Sequence, residues 1–392
     1  MFERIKAGIT AVKGVRCYGI KEGRYGLGIV ACKGKVAGVF TRNKFKAAPV
    51  MITRDHIRNG EIEGIIVNSG NANAFTGKEG LRNAKKMAEL LAKSLNVPTK
   101  KIAVASTGVI GVQLNMNWIE EKLKEIYAKL GSSRTHALSF AKAIMTTDSF
   151  PKEYTIKIKD CTIAGVAKGA GMIAPNLATM LVFIFTDADF SPKELYRMLK
   201  KAVNVTFNAT VVDGDTSTND MVLLTATGEK RISRDLFEKG LINVCLNLAK
   251  MIARDGEGAT KLLEVYVNGA KNNNDAFRAA KAIVSSLLVK TALFGNSPNW
   301  GRIIAVLGYS GIKINNSLDL SLKGFKSGKE IGSITLVKDG KPCGKEAEAR
   351  KIMKKSDSIA FIVNLNIGNG KGHAIGCDLS YEYVRINSGY IT

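Results

Sequence analysis

The run Lys168-Gly-Ala-Gly-Met-Ile-Ala-Pro-Asn-Leu-Ala-Thr179 leads straight into the apolar stretch Met180-Leu-Val-Phe-Ile-Phe185. A glycine turn, one proline and one threonine thus precede a strand. A threonine at such a junction can set its hydroxyl on a rigid edge facing a cleft. If the Ala178–Thr179 bond opens, Thr179 gains a free α-amine beside its own hydroxyl. Nucleophile and base then share one residue, an arrangement used for covalent acyl chemistry. An α-amine has a reference pKa of about 7.7–8.0, so a good fraction is neutral near neutral pH and can take the hydroxyl proton. The three histidines, His56, His136 and His373, lie in no G-x-S-x-G, H-E-x-x-H or C-x-x-C-H pattern, which favours a base other than imidazole. The same local pattern also describes a β-branched residue that simply prefers strands.

Other residues carry weaker signals. Thr107-Gly108 follows the strand-like Lys101–Ala105; a glycine lets a backbone N–H approach a ligand closely, and a threonine hydroxyl adds a second donor. A plain strand-to-turn glycine reads the same way. Lys168 and Glu257 are isolated charges among glycines, a setting that solvated surface charges share. Asp213-Gly-Asp-Thr-Ser-Thr-Asn-Asp220 looks like a calcium loop but lacks the sixth-position glycine and closing glutamate of an EF-hand. Hydrogen bonding to backbone in tight turns is the favoured role for it. Gly368-Asn-Gly-Lys-Gly372 has His373 where a dinucleotide fingerprint has its third glycine, so a turn between strands is expected.

The elements that must position these residues alternate along the chain. Strands are expected over Ile29–Phe40, Gly64–Val67, Lys101–Ala105, Tyr154–Lys159 and up to Phe185. Leu81, Ala84, Ala88, Leu91 and Leu95 form one helical stripe. Further helices are expected near Trp118–Leu130 and His136–Met145, after Ser191-Pro192, and over Ser233–Arg254 and Asp275–Leu288. Ser191-Pro192 is a cap with proline at the first helical position. Strands near Leu318–Leu322, Ile331–Val337 and Ile359–Leu365 close the chain, and Lys271-Asn-Asn-Asn274 is the expected linker. The architecture predicted is layered α/β (α+β), with antiparallel or mixed sheets covered by helices. Three segments are expected: 1–190, carrying the cleavage site, a middle α/β part over 191–270, and an α+β domain over 275–392.

Composition narrows the class. The formal net charge is +24, from 58 Lys and Arg against 34 Asp and Glu. Basic residues come as short pairs such as Lys85-Lys86 and Lys200-Lys201, without an RNP aromatic box, zinc finger or long basic arm, so no nucleic-acid partner is expected. The six cysteines show no C-x-x-C pair, which argues against zinc and a disulfide framework and for thiols in a reducing cytoplasm. Met1–Lys6 has no apolar core of the signal-peptide kind. Residues 169–185 carry no charge, but Gly169, Gly171, Pro175 and Asn176 fit a turn and strand rather than a membrane helix. No cofactor, metal or membrane partner is expected.

Read whole, the chain resembles the ornithine acetyltransferase family, the glutamate N-acetyltransferases of arginine biosynthesis. Residues 168–181 are similar to that family's self-cleavage site. The likeness continues in family order through Gly38–Asn43 with Ala47–Val50, Val67–Ala74, Ser106–Gly111 and Ala143–Asp148. It then runs through Val212–Asp220, Arg254–Lys261, Phe294–Arg302 and Gly376–Asn387. Phe75 stands where the family often has a small residue or Cys.

The resemblance implies an αββα-type core shared with self-cleaving aminopeptidases. It implies autocleavage between Ala178 and Thr179, giving fragments of 178 and 214 residues that stay together as two α and two β chains. Thr107 and Gly108 become oxyanion residues; losing one such donor typically costs about 100–1000-fold in turnover. Thr146, Lys168, Thr179, Glu257, Asn387 and Thr392 become substrate contacts. N-acetylornithine is the implied acetyl donor and glutamate the acceptor; some members of the family also use acetyl-CoA, and the sequence leaves that donor open. Two other readings are a self-cleaving amidase or aminopeptidase, with water as acceptor, and a basic nucleic-acid-binding protein.

Overall fold

The computed structural model describes residues 2–173 and 180–389. These fall into two compact units, one built mainly from Met1–Asn208 with Asp215–Leu248, the other from Ala209–Gly214 with Ala249–Tyr390.

The first unit is organised by one nine-stranded sheet that folds over on itself. Its order is Glu3–Ile5, Lys152–Ile158, Cys161–Lys168, Leu181–Ala188, Met221–Lys230, Tyr25–Phe40, Glu61–Asn71 and Ile102–Val109, with Arg16–Glu22 also paired to Tyr25–Phe40. The 16-residue strand Tyr25–Phe40 belongs to both halves. Its residues Gly26–Ala31 pair with Glu61–Asn71, and its residues Lys35–Phe40 with Met221–Lys230. The register shifts between Ala31 and Gly34. A Cβ on Gly34 would lie 2.5 Å from the Ala226 carbonyl oxygen, so only glycine lets the backbones approach there.

Alternation then sorts the side chains. Ile65, Val67, Ala103 and Ala105 from one half share a core with Ala164, Val166, Leu181, Phe183, Phe185 and Leu223 from the other. Their neighbours in sequence, Ile66, Ile102 and Val104, point the opposite way, into helices Gly77–Leu95 and Met116–Ala128 through Met87, Leu91, Leu123 and Ile126. Behind the second half lie Pro192–Val205, which buries Leu195, Met198, Leu199, Ala202 and Val203, and Arg234–Arg254. Val244 and Leu248 of the latter close on Gly165, where a Cβ would meet Leu248 at 2.7 Å. Helix, sheet, sheet and helix therefore stack in that order, the αββα layering expected. The Ser191 cap is also as read: its hydroxyl accepts from the Glu194 N–H, Glu194 answers to the Ser191 N–H, and Pro192 opens the helix.

The second unit carries a seven-stranded sheet, ordered Lys341–Pro342, Lys329–Lys338, Asp319–Lys326, Ser358–Asn364, Leu262–Ala270, Gly370–Cys377 and Thr210–Val211. Helices Asn273–Ser285, Trp300–Tyr309 and Glu346–Lys355 bury Ile283, Val306 and Met353 against it. Of the run Gly368–Gly372, only Gly368 and Asn369 lie in the expected turn between strands; Gly370–Gly372 already belong to the strand Gly370–Cys377. A Cβ on Gly372 would lie 2.3 Å from the Phe277 backbone nitrogen, so its small size admits helix Asn273–Ser285. Two expectations need correcting. Lys271–Asn274 is no linker: Asn272 caps helix Asn273–Ser285, accepting from the Asp275 N–H at 2.9 Å. The helix expected over Asp275–Leu288 breaks at Ser286, whose extended backbone and hydroxyl cap a second helix, Leu287–Phe294.

Candidate functional site

Strand ends from both halves of the folded sheet gather the polar groups. Lys168 is the last residue of its strand and pairs with Leu181; Met221 pairs with Leu181 from the other side. Lys168 ends its strand, and Met180 and Asp220 immediately precede theirs, so the three lie at neighbouring ends of adjacent strands. Thr107 comes from the opposite half. The Lys168 ammonium donates to Thr107 Oγ1 at 3.1 Å, and both side chains are buried. A hydroxyl that accepts a hydrogen bond keeps its own hydrogen for donation.

Gly108 sits at φ +131°, a conformation open to glycine. A Cβ there would lie 2.3 Å from the Gly70 carbonyl carbon and 2.4 Å from the Asn71 nitrogen. Ile102–Val109 ends the sheet order, so one side of it has no strand partner. Gly108 pairs with Gly70, and Asn71 with both Thr107 and Val109, so the register shifts beside Gly108.

The Thr107 segment is held by Asn219. Its side-chain amide donates to the carbonyls of Ser106 at 2.8 Å and Ala72 at 2.6 Å. Ser106 in turn donates to Asn68 Oδ1 at 2.5 Å, and Asn68 to the Asn71 carbonyl at 2.8 Å. Asp220, fully buried, accepts the Met180 N–H on Oδ1 at 3.0 Å.

Beneath Lys168 lies a second buried carboxyl. Asp148 accepts Lys152 Nζ at 2.6 Å and the Gly169 N–H at 2.7 Å on Oδ1, and the Thr146 N–H at 2.9 Å on Oδ2. Burial alone would raise its pKa, but the charges of Lys168 and Lys152 and the Gly169 N–H outweigh burial and bring it to about 2. Lys21 adds a further ammonium, donating to the Met145 carbonyl and to Ser69 Oγ. Burial lowers its pKa, opposed by Asp148 and reinforced by Lys168. Three ammonium groups around one carboxylate leave a positive field at this level, suited to a developing oxyanion or a substrate carboxylate.

The sequence-chosen residues Thr107, Gly108, Thr146 and Lys168 are thus drawn together in the first unit. Glu257 and Asn387 belong to the second, where Asn387 Nδ2 donates to Glu257 Oε2 at 2.9 Å. Ala178, Thr179 and Thr392 lie outside the described residues. Asp148, Lys152, Lys21, Asn219 and Asp220 were not singled out by sequence reasoning. Asp148, Asn219 and Asp220 end or sit in runs that were noted; Lys21 and Lys152 carry no signal that marks them. The 213–220 run does bond to backbone as expected, but Asn219 reaches across the fold rather than within its own turn. Among the described residues no group of three or more His, Cys, Asp or Glu could hold a metal ion, and no helix is long and apolar enough to cross a membrane.

The chain has close relatives along its whole length. The ArgJ family model matches residues 12–392. The chain is 53% identical over 385 residues to the arginine biosynthesis bifunctional protein ArgJ of Archaeoglobus fulgidus, covering 98% of this chain and 100% of that one. It is 47% identical over 409 residues to the glutamate N-acetyltransferase of Methanocaldococcus jannaschii, covering 99% of each. A solved structure of the arginine biosynthesis bifunctional protein argJ from Bacillus halodurans is 46% identical, with a TM-score of 0.49 over 53% of this chain and 98% of that one.

Proposed function

The chain belongs to the ArgJ family, and from that membership we propose that it is a glutamate N-acetyltransferase carrying the acetyl group of N2-acetyl-L-ornithine to L-glutamate on Thr179. The observation that carries the reading is the buried Lys168–Thr107 hydrogen bond of 3.1 Å, made where Lys168 pairs with Leu181.

Thr179 Oγ first attacks the Ala178 carbonyl; the carbon–nitrogen bond breaks, which frees the Thr179 α-amine and leaves an ester, and water then opens that ester to give the Ala178 carboxyl group and the Thr179 hydroxyl. That amine then takes the Thr179 hydroxyl proton as Oγ attacks the acetyl carbonyl of acetylornithine. The negative charge forming on the carbonyl oxygen is met by the Thr107 hydroxyl and the Gly108 N–H, with the Lys168 ammonium polarising Thr107. Ornithine leaves with the proton on its amine, and an acetyl ester remains on Thr179. The glutamate amine attacks the ester, giving N-acetylglutamate and the starting hydroxyl. Splitting one amide exchange into two ester-linked steps predicts ping-pong kinetics. Lys168, Thr146, Glu257, Asn387 and Thr392 are the substrate contacts of this reading. Six thiols without a disulfide favour a reducing, cytoplasmic setting. The assembly proposed is a pair of each fragment.

Intact mass spectrometry tests it. Wild type is expected as fragments of 178 and 214 residues, and Thr179→Ala as one chain. Isotope-labelled acetylornithine without glutamate should leave one alkali-labile acetyl group on the 214-residue fragment. Glutamate should discharge it as N-acetylglutamate. Release as free acetate in the presence of glutamate would favour the amidase reading instead.

A further inference from the structure

The run Gly38–Asn43 carries the family likeness but has no part in the proposed reaction. In the structure its first five residues line a groove of about 620 Å³ in the first unit. The end of strand Tyr25–Phe40 is the floor. One wall is the end of helix Ala48–His56 with the turn Ile57–Asn59, and the other is helix Pro192–Val205. On that helix Pro192, Tyr196, Lys200 and Asn204 recur every four residues and present one face to the groove. Arg42, Lys46, Arg54, Arg58 and Lys200 thus converge from three separate elements, and no acid joins them in the lining. Another groove shows the contrast: its Lys13 and Lys101 are paired with Glu229 and Glu61 of the same lining. Of the five cations here, Arg58 alone pairs with a carboxylate among the described residues, the exposed Asp55 at 3.3 Å. Gathered like charges repel one another, and an anion seated among them turns that cost into attraction.

The cations at one end are held in place beforehand. The Thr41 hydroxyl donates to the Ser217 carbonyl at 2.7 Å, the Asn43 amide to the Thr216 carbonyl at 2.9 Å, and the Ala47 N–H to the Thr218 carbonyl at 3.0 Å. Lys46 donates to the Asn43 carbonyl at 2.9 Å. Arg42 and Lys46 therefore sit on a segment already ordered, which lowers the cost of binding. Three of the five cations are arginines, whose planar forks match phosphate oxygens two at a time. A lone carboxylate engages one or two such groups; a chain of phosphates engages all five. Phe40, Ile57 and the exposed Tyr196 add apolar lining against which a flat ring can lie. We propose that this groove binds a nucleoside di- or triphosphate, with its phosphates on the five cations and its base against Tyr196. The lining offers cations to the phosphates and no carboxylate to a magnesium ion, so the uncomplexed nucleotide is the form bound.

Titration calorimetry of the full protein tests this, with ATP, inorganic tripolyphosphate and adenosine as probes. ATP should bind once per chain, tripolyphosphate about tenfold more weakly, and excess magnesium should weaken ATP rather than tighten it. Arg54→Ala and Lys200→Ala should each weaken ATP about tenfold, the usual loss of one charge-assisted contact. Tyr196→Ala should bring ATP down to the level of tripolyphosphate. Lys354→Ala with Lys355→Ala, which removes two charges from the second unit, should leave ATP binding as it was. All these side chains are exposed, so the melting temperature should hold. No saturable binding of ATP would overturn the proposal. So would equal losses in the groove variants and in the lysine-pair control, which would reduce the effect to bulk charge. A single-stranded oligonucleotide that binds more tightly than ATP and is weakened by the same groove variants would assign the groove to a nucleic-acid strand instead. The outcome is independent of acetyl transfer, which the intact-mass experiment tests separately.

Discussion

At the scale of single residues, the site is a set of buried charges that hold one another in place. Asp148 is the pivot, because it ties Thr146, Gly169 and Lys152 to one carboxyl. The Lys152 and Asp148 side chains are both fully buried, so removing one charge strands the other. Asp148→Asn is expected to cost about 3–5 kcal/mol in a urea melt, the usual penalty for breaking a buried pair from one side. The pH dependence follows from the same group. Its folded pKa of about 2 lies below the unfolded value, so the stability it contributes is complete above that value. That contribution is lost as the pH falls from about 4 toward 2, where the folded state must also take up the proton. Wild-type stability should drop steeply across this window, and that of Asp148→Asn should lose this component of the slope. Parallel acid profiles for the two proteins would show that Asp148 is not ionised in the folded state.

At the scale of elements, the strands on each side of the proposed cleavage site are what would hold the two fragments together. Cys161–Lys168 and Leu181–Ala188 are antiparallel neighbours, in register from Ile163 with Thr186 to Lys168 with Leu181. Cutting the chain between 178 and 179 leaves this ladder intact, and Leu181–Ala188 also pairs with Met221–Lys230. The first fragment supplies the strands Tyr25–Phe40 and Cys161–Lys168, and the second supplies the two between them. The cut protein should therefore run as one particle in size-exclusion chromatography and separate only in denaturant. Two native peaks would contradict this interleaving.

The same elements show what could be read before any fold was known. The turn-plus-strand reading of 169–185 holds for the described strand, because an uncharged apolar run after glycine and proline has few other uses. Cys161–Lys168 escaped notice because Ala164, Gly165 and Ala167 blunt its apolar alternation; the helix packed on Gly165 explains why they are small. Thr107, Gly108 and Lys168 were legible through family motifs, which encode position without giving its cause. Asn219 and Asp220 were not legible in role, since the Asn219 amide meets Ser106 across 113 residues of chain. No spacing rule reaches that far, and the full burial of Asp220 is visible only in three dimensions.

At the scale of the whole molecule, the charge of +24 is large enough to shape encounters with substrate. It is unevenly felt. Arg42, Lys46, Arg54, Arg58 and Lys200 line one groove of the first unit that has no acidic lining residue. The two proposed substrates differ in what such a field can do. Acetylornithine carries one carboxylate and one ammonium, so its net charge is near zero; glutamate carries two carboxylates and one ammonium, so it is a net anion. A positive field therefore speeds the approach of glutamate to the acetyl-enzyme and leaves that of acetylornithine almost untouched. Ping-pong kinetics let the two be measured apart, as kcat/KM for each substrate. Raising ionic strength to 1 M shortens the screening length from about 10 Å at 0.1 M to about 3 Å. Over that range kcat/KM for glutamate should fall several-fold, while that for acetylornithine should stay nearly level. Equal salt slopes for the two substrates would mean that the lysine-rich surface serves solubility alone, and that acceptor choice rests entirely on contacts made inside the pocket.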